Sequence, residues 1–395
     1  MRNSLEAYAG EDLFASREEP FHFVVGNPPY VRIQHLSEAD RVLVQSRFRF
    51  CASGSTDLYI AFFELALSLL APGGVVAFIT PNTYFHTATG RALRHHLASN
   101  RLLRSVVNFG HRQVFPDATT YAAITIASDR PTSHIAYTDA SREAERSVEV
   151  DATQLARQDV WRFEAKTEEL DPERFRPLRE IARIHVGLAT LADPVFVVQD
   201  ASLGGDGAPD RALVQTKRFG AVEIERGLLR PVIKGSKVKP GVPCHQGAFI
   251  VFPYETLRGR PTLIPEDRLA ERYPLGYAYL VRARDLLDRR DNGRPNAAGW
   301  YAFGRTQALE TSFGEKIICP PMAQSPTFVV CRMAEATVYS GYFVKYGGDL
   351  DALARQLNSD RMHAYVQSGG RDYMGGWKGY SKSSFQDFPV DITEL

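Results

Sequence analysis

The apolar run Phe21-His22-Phe23-Val24-Val25 ends at Gly26, and Asn27-Pro28-Pro29-Tyr30 follows at once. A short apolar run bounded by glycine and proline has the pattern of a strand buried in a parallel sheet. Two successive prolines fix an extended backbone and remove two N–H donors, so the strand cannot continue through them. The chain must leave the sheet there. In open α/β sheets, ligands bind at the carboxyl ends of strands.

The following residues alternate between strand and helix patterns. Leu58, Phe62, Leu65 and Leu69 recur at helical spacing, and Pro72-Gly73-Gly74 is expected to end that helix. Val75 to Ile79 reads as the next buried strand, residues 91–97 as a helix, and 102–107 and 121–126 as further strands. An outlying strand is expected over His134 to Tyr137. This alternation predicts an α/β sheet with crossover helices. From about Phe175 onward, short β-like runs such as Val195 to Val198 and Ala248 to Phe252 lie between Gly/Pro turns, which predicts an irregular α+β region.

A chain of 395 residues fits two domains. Lys+Arg total 47 against 46 Asp+Glu, which excludes a uniformly basic coat but leaves room for a local basic face. The first lysine is Lys166. This compositional shift places the expected boundary between residues 1–165 and 166–395. The four cysteines form no CxxC pair, so neither zinc nor a disulfide framework is expected. No apolar run approaches the roughly 20 residues of a membrane span, and the first residues lack a signal-peptide core. The reading is a soluble cytoplasmic protein.

Asparagine followed by two prolines has a definite chemistry. The asparagine side-chain oxygen and the backbone carbonyls accept hydrogen bonds, and the neighbouring Tyr30 offers a ring for stacking. Two acceptors can grip an NH2 group. An exocyclic amine delocalises its lone pair into the ring. Holding its hydrogens pushes the nitrogen toward tetrahedral geometry and frees that pair to attack a methyl donor, with positioning and electrostatics lowering the barrier. The bland alternative is a turn that merely ends a strand.

The stretch Val24 to Arg32 resembles motif IV of the amino-methyltransferases that use S-adenosylmethionine. Upstream, Glu11-Asp12-Leu13-Phe14 resembles motif III, whose carboxylate receives the cofactor's adenine amino group. Leu58 to Phe62 resembles motif V, where the phenylalanine packs on that adenine. Gly73 to Pro81 resembles motif VI, and Gln113-Val114-Phe115-Pro116 resembles motif VIII, whose aromatic residue faces a flipped target base. The order is that of the gamma-type N6-adenine DNA methyltransferases of restriction-modification systems. Lys234 to Lys239, Gly299-Trp300-Tyr301, the run from Lys316 and Leu357-Asn358-Ser359 resemble their C-terminal target-recognition domains.

This resemblance implies a partial Rossmann-like sheet followed by a recognition domain, acting on double-stranded DNA. Asn27, Pro28, Pro29 and Tyr30 would be catalytic, with Tyr30 and Phe115 stacking on the extruded adenine. Asp12, Leu13 and Phe62 would hold S-adenosylmethionine. Lys234, Lys237, Lys239 and Trp300 would contact DNA. Each has a plainer reading: Asp12 as a surface acid, Phe62, Trp300 and Tyr301 as core, the lysines as a solvated face. Arg94-His95-His96 is read as a solvated helix face.

The family's glycine-rich cofactor loop should precede motif III, and there is no room for it before Asp12. Phe21 to Val25 would then be an exposed apolar edge, which proteins avoid. The expectation is a split enzyme whose second chain carries the glycine loop. Two alternatives stand: a DNA-recognising remnant that cannot methylate, and a protein-glutamine methyltransferase.

Overall fold

The computed structural model describes residues 20–52, 56–115, 121–141, 145–163, 170–200 and 210–395. It divides into two compact units. The first holds residues 1–170 and 364–379, the second 171–363 and 380–395.

The first unit is built on a six-stranded sheet. Its strands are β1 (Phe21–Gly26), β2 (Leu70–Pro81), β3 (Leu103–Gln113), β4 (Tyr121–Ser128), β5 (His134–Asp139) and β6 (Arg146–Asp151). Their order is β1-β2-β4-β3-β5-β6. β1 pairs parallel with β2, and β3 parallel with β5, while β4 runs antiparallel to both neighbours. The carboxyl ends of β1, β2, β3 and β5 therefore share one edge.

The two faces of this sheet differ. Helices α1 (Glu38–Arg47), α2 (Leu58–Ser68) and α3 (Arg91–Ser99) belong to a core with Val76, Phe78, Val106 and Ala123 from the strands. Phe63 sits at its centre, fully buried against Phe78 and Tyr84. The opposite face carries Val75, Ala77, Ile79, Ile124, Ile126 and Val107 in register, all half-buried. It continues onto Phe23 and Val25, which are 72% and 76% exposed. Among the described residues β1 has a neighbour on one side only.

Local details differ from expectation where non-local pairing wins. The helix over α2 closes at Ser68 rather than at the Pro72-Gly73-Gly74 turn. Phe21 N–H bonds the Leu69 carbonyl, so β2 begins at Leu70 and those three residues become a bulge between the Phe21–Leu70 and Phe23–Val75 pairs. Residues 193–196 form a helical turn with Pro194 at its start, so the strand expected at Val195 begins at Val197. Arg94 is not on a solvated face. It is buried, and its guanidinium donates to the carbonyls of Tyr84, Thr87 and Asp159.

The second unit is α+β. A six-stranded sheet includes Val197–Asp200, Arg211–Thr216, Leu229–Lys234 and Ala248–Val251, and a four-stranded sheet includes Lys316–Cys319 and Tyr342–Lys345. Among the described residues no helix is long and apolar enough to cross a membrane.

Phe63→Ala should cost about 3–5 kcal/mol of stability, because a fully buried ring leaves a cavity beneath the sheet. A urea titration of the whole chain checks this; a midpoint unchanged from wild type would contradict the core described.

Candidate active site

Asn27-Pro28-Pro29-Tyr30 leaves the carboxyl end of β1 and is clasped immediately afterwards. Leu58 N–H donates to the Val31 carbonyl at 2.8 Å and Ile33 N–H to the Thr56 carbonyl at 2.9 Å, around a bridge between Arg32 and Asp57. The four residues are thus held between a strand and the start of α2. Pro28 is buried, and Asn27 and Pro29 are exposed. The Asn27 amide has no hydrogen-bond partner among the described residues, leaving donor and acceptor available to a ligand.

Tyr30 is half-buried. Its hydroxyl donates to the Ile79 carbonyl of β2 at 3.1 Å, and its ring meets Tyr59 edge-on with centroids 6.5 Å apart. Burial raises the pKa of its phenol. Phe115 follows the end of β3, half-buried in a bend, where the Gln113 side-chain amide donates to its carbonyl at 2.9 Å. Three strand spacings separate the ends of β1 and β3, about 14 Å. Tyr30 and Phe115 therefore stand on the same edge from opposite sides.

A cleft of about 390 Å³ adjoins β1, lined by Asn27, Pro28 and Pro29 together with Phe62, Leu65 and Phe78. Phe62 from α2 and the Asn-Pro-Pro turn thus share one apolar recess, within the size range of small-molecule sites. Its lining would suit the flat apolar face of an adenine. Among the described residues Asn27 is the single polar one in that lining, and none of them answers the ribose hydroxyls or the charged amino acid end of S-adenosylmethionine. Asp12 and Leu13 lie outside the described residues.

The floor of the edge is a network that sequence reading missed. Asn82, buried just after β2, donates to Asn108 Oδ1 at 3.0 Å. Asn108 donates to the Tyr137 hydroxyl at 3.1 Å, and Gly110 N–H returns to Asn108 Oδ1 at 3.0 Å. Gly110 reaches that position with φ +54, and an added Cβ would lie 2.6 Å from that of Ser141. The only signal in the sequence was an asparagine at the end of each of two strands.

A second missed element comes from far along the chain. Residues 364–379 return to the first unit, and the strand Asp372–Tyr373 packs against β3. The Arg371 guanidinium lies close enough to Asp57 and His86 to favour the ionised carboxylate and disfavour the imidazolium. For Asp57 burial outweighs Arg32 and Arg371, and its pKa is raised. His86 is half-buried, and its Nε2 is buried and unpartnered among the described residues. Burial, then Arg371, Arg94 and Lys378, push its pKa down from 6.5 to about 3.

In the second unit Lys234, Lys237 and Lys239 are exposed on the turn after Leu229–Lys234 and make no ion pair with a described residue. Lys234 Nζ stands 5.9 Å from the Tyr339 ring. Trp300 is held by the fold itself. Its Nε1 donates to Glu266 at 3.1 Å, Tyr277 and Tyr301 pack on it, and Arg284 covers its ring at 4.9 Å.

Comparisons with known proteins agree with this architecture. Residues 3–115 match the family described as Eco57I restriction-modification methylase. The chain is 23% identical over 322 residues to the Type II restriction enzyme and methyltransferase RM.Eco57I of Escherichia coli, covering 73% of this chain and 31% of that protein. It is 28% identical over 317 residues to the Type II methyltransferase M.PaeR7I of Pseudomonas aeruginosa, covering 74% of this chain and 50% of that one. The chain thus spans half or less of these relatives. The fold matches that of the Type IIL restriction-modification enzyme MmeI, solved in complex with DNA, with a TM-score of 0.60 at 11% identity over 92% of this chain and 46% of that one.

His86 gives a pH prediction with a definite sign. The unfolded chain protonates this ring near 6.5 and the folded one only near 3, so the unfolded state binds the extra proton between those values. Stability should fall as pH drops through that window, by at most about 1.4 kcal/mol per pH unit. His86→Gln should flatten the dependence; thermal melts at pH 5 and pH 8 measure it, and an unchanged gap would contradict it.

Proposed function

We propose that the chain, whose residues 3–115 match the family described as Eco57I restriction-modification methylase, is the catalytic and target-recognising part of a site-specific DNA methyltransferase acting on the N6 amino group of adenine. The carrying observation is the placement of Asn27-Pro28-Pro29-Tyr30 at the carboxyl end of β1, clasped by the bonds at Val31 and Ile33, with an Asn27 amide that has no partner among the described residues. The relatives are named as methyltransferases, and MmeI was solved with DNA.

S-adenosylmethionine, when bound, supplies an electrophilic methyl group. Asn27 Oδ1 and the Pro28 carbonyl accept the two N6 hydrogens and turn the nitrogen's lone pair toward that methyl. The chemistry the cofactor would supply is methyl transfer to N6, with the sulfur keeping the electron pair of its broken bond to the methyl. One N6 proton then leaves to water, so no strong base is needed. Tyr30, fixed by its bond to Ile79, stacks on the extruded adenine, and Phe115 closes from the β3 side. Phe62 packs on the cofactor's adenine in the shared cleft. Lys234, Lys237 and Lys239 contribute phosphate contacts in the second unit.

The apolar cleft and the uncovered sheet support a further part of the reading. A crossover sheet is covered on both faces, yet here Phe23, Val25 and their registered neighbours are not buried. We assign that place to a second polypeptide, which pairs with β1, covers this face and brings the glycine-rich cofactor loop with its polar groups.

Two experiments test this. Asn27→Ala should lower methylation of genomic DNA by at least about 100-fold, the scale of losing one preorganised transition-state contact, while DNA binding persists. Modification-sensitive sequencing reads it, and retained methylation would remove Asn27 from the chemistry. Tandem Phe23→Glu and Val25→Glu should release the second polypeptide on co-purification from the native host. A chain that binds cofactor fully by itself would refute the split arrangement, and one that binds DNA without ever methylating it would point to a recognition remnant.

A further inference from the structure

The ribbon returned by residues 364–379 has a tip unlike the rest of the first unit. Its strands, β7 (Asp372–Tyr373) and β8 (Trp377–Gly379), pair antiparallel through Tyr373–Trp377 and Asp372–Lys378. Three residues, Met374-Gly375-Gly376, close the ribbon, and both glycines sit at φ near +75. A left-handed pair of this kind admits little but glycine and keeps the tip narrow. An added Cβ at Gly376 would meet nothing within 4 Å, so that glycine faces open space.

Two large apolar side chains ride on this tip. Met374 is 72% exposed and Trp377 43%. Single exposed apolar residues need no explanation, but the base of this ribbon is stiffened as though to bear load. Asp372 and Lys378 form an ion pair at 2.6 Å with both side chains 12% exposed, and Gly379 N–H bonds the Arg371 carbonyl at 2.8 Å. Below, Tyr365 is clamped under the Arg162 guanidinium, 3.9 Å from its ring.

Its location adds the second observation. β7 and the turn after it pack against β3, the strand that leads to Phe115. Asp372 is close enough to Tyr137 to raise its pKa, behind burial and alongside Asp139, which sets the ribbon beside the Asn82–Asn108–Tyr137 floor. The Asp372–Lys378 pair cancels its own charge, so Arg371 leaves the ribbon's base positive, and Arg371 and Arg32 both act on the Asp57 carboxyl.

We propose that the 372–379 ribbon is a duplex-opening wedge: Met374 and Trp377 enter the stack that the target base vacates, while Arg371 and Arg32 hold the flanking phosphates. Apolar wedges of this kind replace lost stacking and keep an extruded base from falling back. The partner is duplex DNA, chosen over a protein surface by the positive base of the ribbon and by its seat on the edge that carries Tyr30 and Phe115. The proposal rests on the methyltransferase reading above.

The test separates the two. The enzyme is purified with the polypeptides that accompany it, its methylated sequence is read from genomic DNA, and two duplexes carrying that sequence are made. One is fully paired; the other has an abasic position opposite the target adenine, so that extrusion is already cheap. Trp377→Ala should lower kcat/KM on the paired duplex by about tenfold, the scale of one aromatic–base stack, and leave the abasic duplex within about twofold. Trp377→Phe, which keeps a stacking face, should restore most of the paired activity. Equal activity of wild type and Trp377→Ala on both duplexes overturns the wedge, as does an equal loss on both. Loss of the accompanying polypeptide from Trp377→Ala would make the tip a protein contact and also overturn it. A wild-type enzyme that methylates neither duplex sinks the underlying reading instead.

Discussion

Everything at the candidate site depends on two backbone hydrogen bonds outside the sheet. Leu58 N–H to the Val31 carbonyl and Ile33 N–H to the Thr56 carbonyl tie the turn after β1 to the head of α2. Two prolines cannot donate to a ladder, so without these bonds the turn would be a loose exit from a strand. With them, Asn27 is presented from a fixed frame. The same stitch aligns Phe62, one turn into α2, with the Asn-Pro-Pro recess. One local constraint thereby sets both halves of the proposed chemistry: the gripping of an amine and the seating of a cofactor ring.

The sheet explains why that frame is only half enclosed. Its packed face is finished to the standard of a protein interior, with Phe63, Val76, Val106 and Ala123 all fully buried. The other face stays half-wet in register across four strands. Apolar area of this extent is worth burying at about 25 cal/mol per Å². A covering element would therefore gain stability and, at the β1 edge, complete the recess whose lining now has a single polar side chain.

What could be read from the sequence was whatever is local. Apolar runs and helical spacing located β1, α2, β2, α3, β3 and β4, because each announces its own period. The Asn-Pro-Pro-Tyr turn was legible because prolines dictate backbone behaviour without help. Pairing decided the rest. Pro72-Gly73-Gly74 looks like a helix end, but Phe21 draws Leu70 into the ladder and turns it into a bulge. Arg94 looks like a surface charge, but the carbonyls of Tyr84 and Thr87 after β2 and that of Asp159 need a donor. The Asn82–Asn108–Tyr137 floor joins three strands, and no spacing reveals that. Nor does any local pattern say that residues 364–379 belong with the first unit.

That late return has a consequence for how such chains can be recombined. The chain leaves the first unit at about residue 170, comes back to it at 364 and departs again after 379. A graft made by cutting once and exchanging everything downstream would take Arg371, the Asp372–Lys378 pair and the clamp on Arg162 away with it. Under the function proposed above, in which the second unit recognises the target, sequence preference would be exchanged only between two cuts, with 364–379 kept as native scaffold.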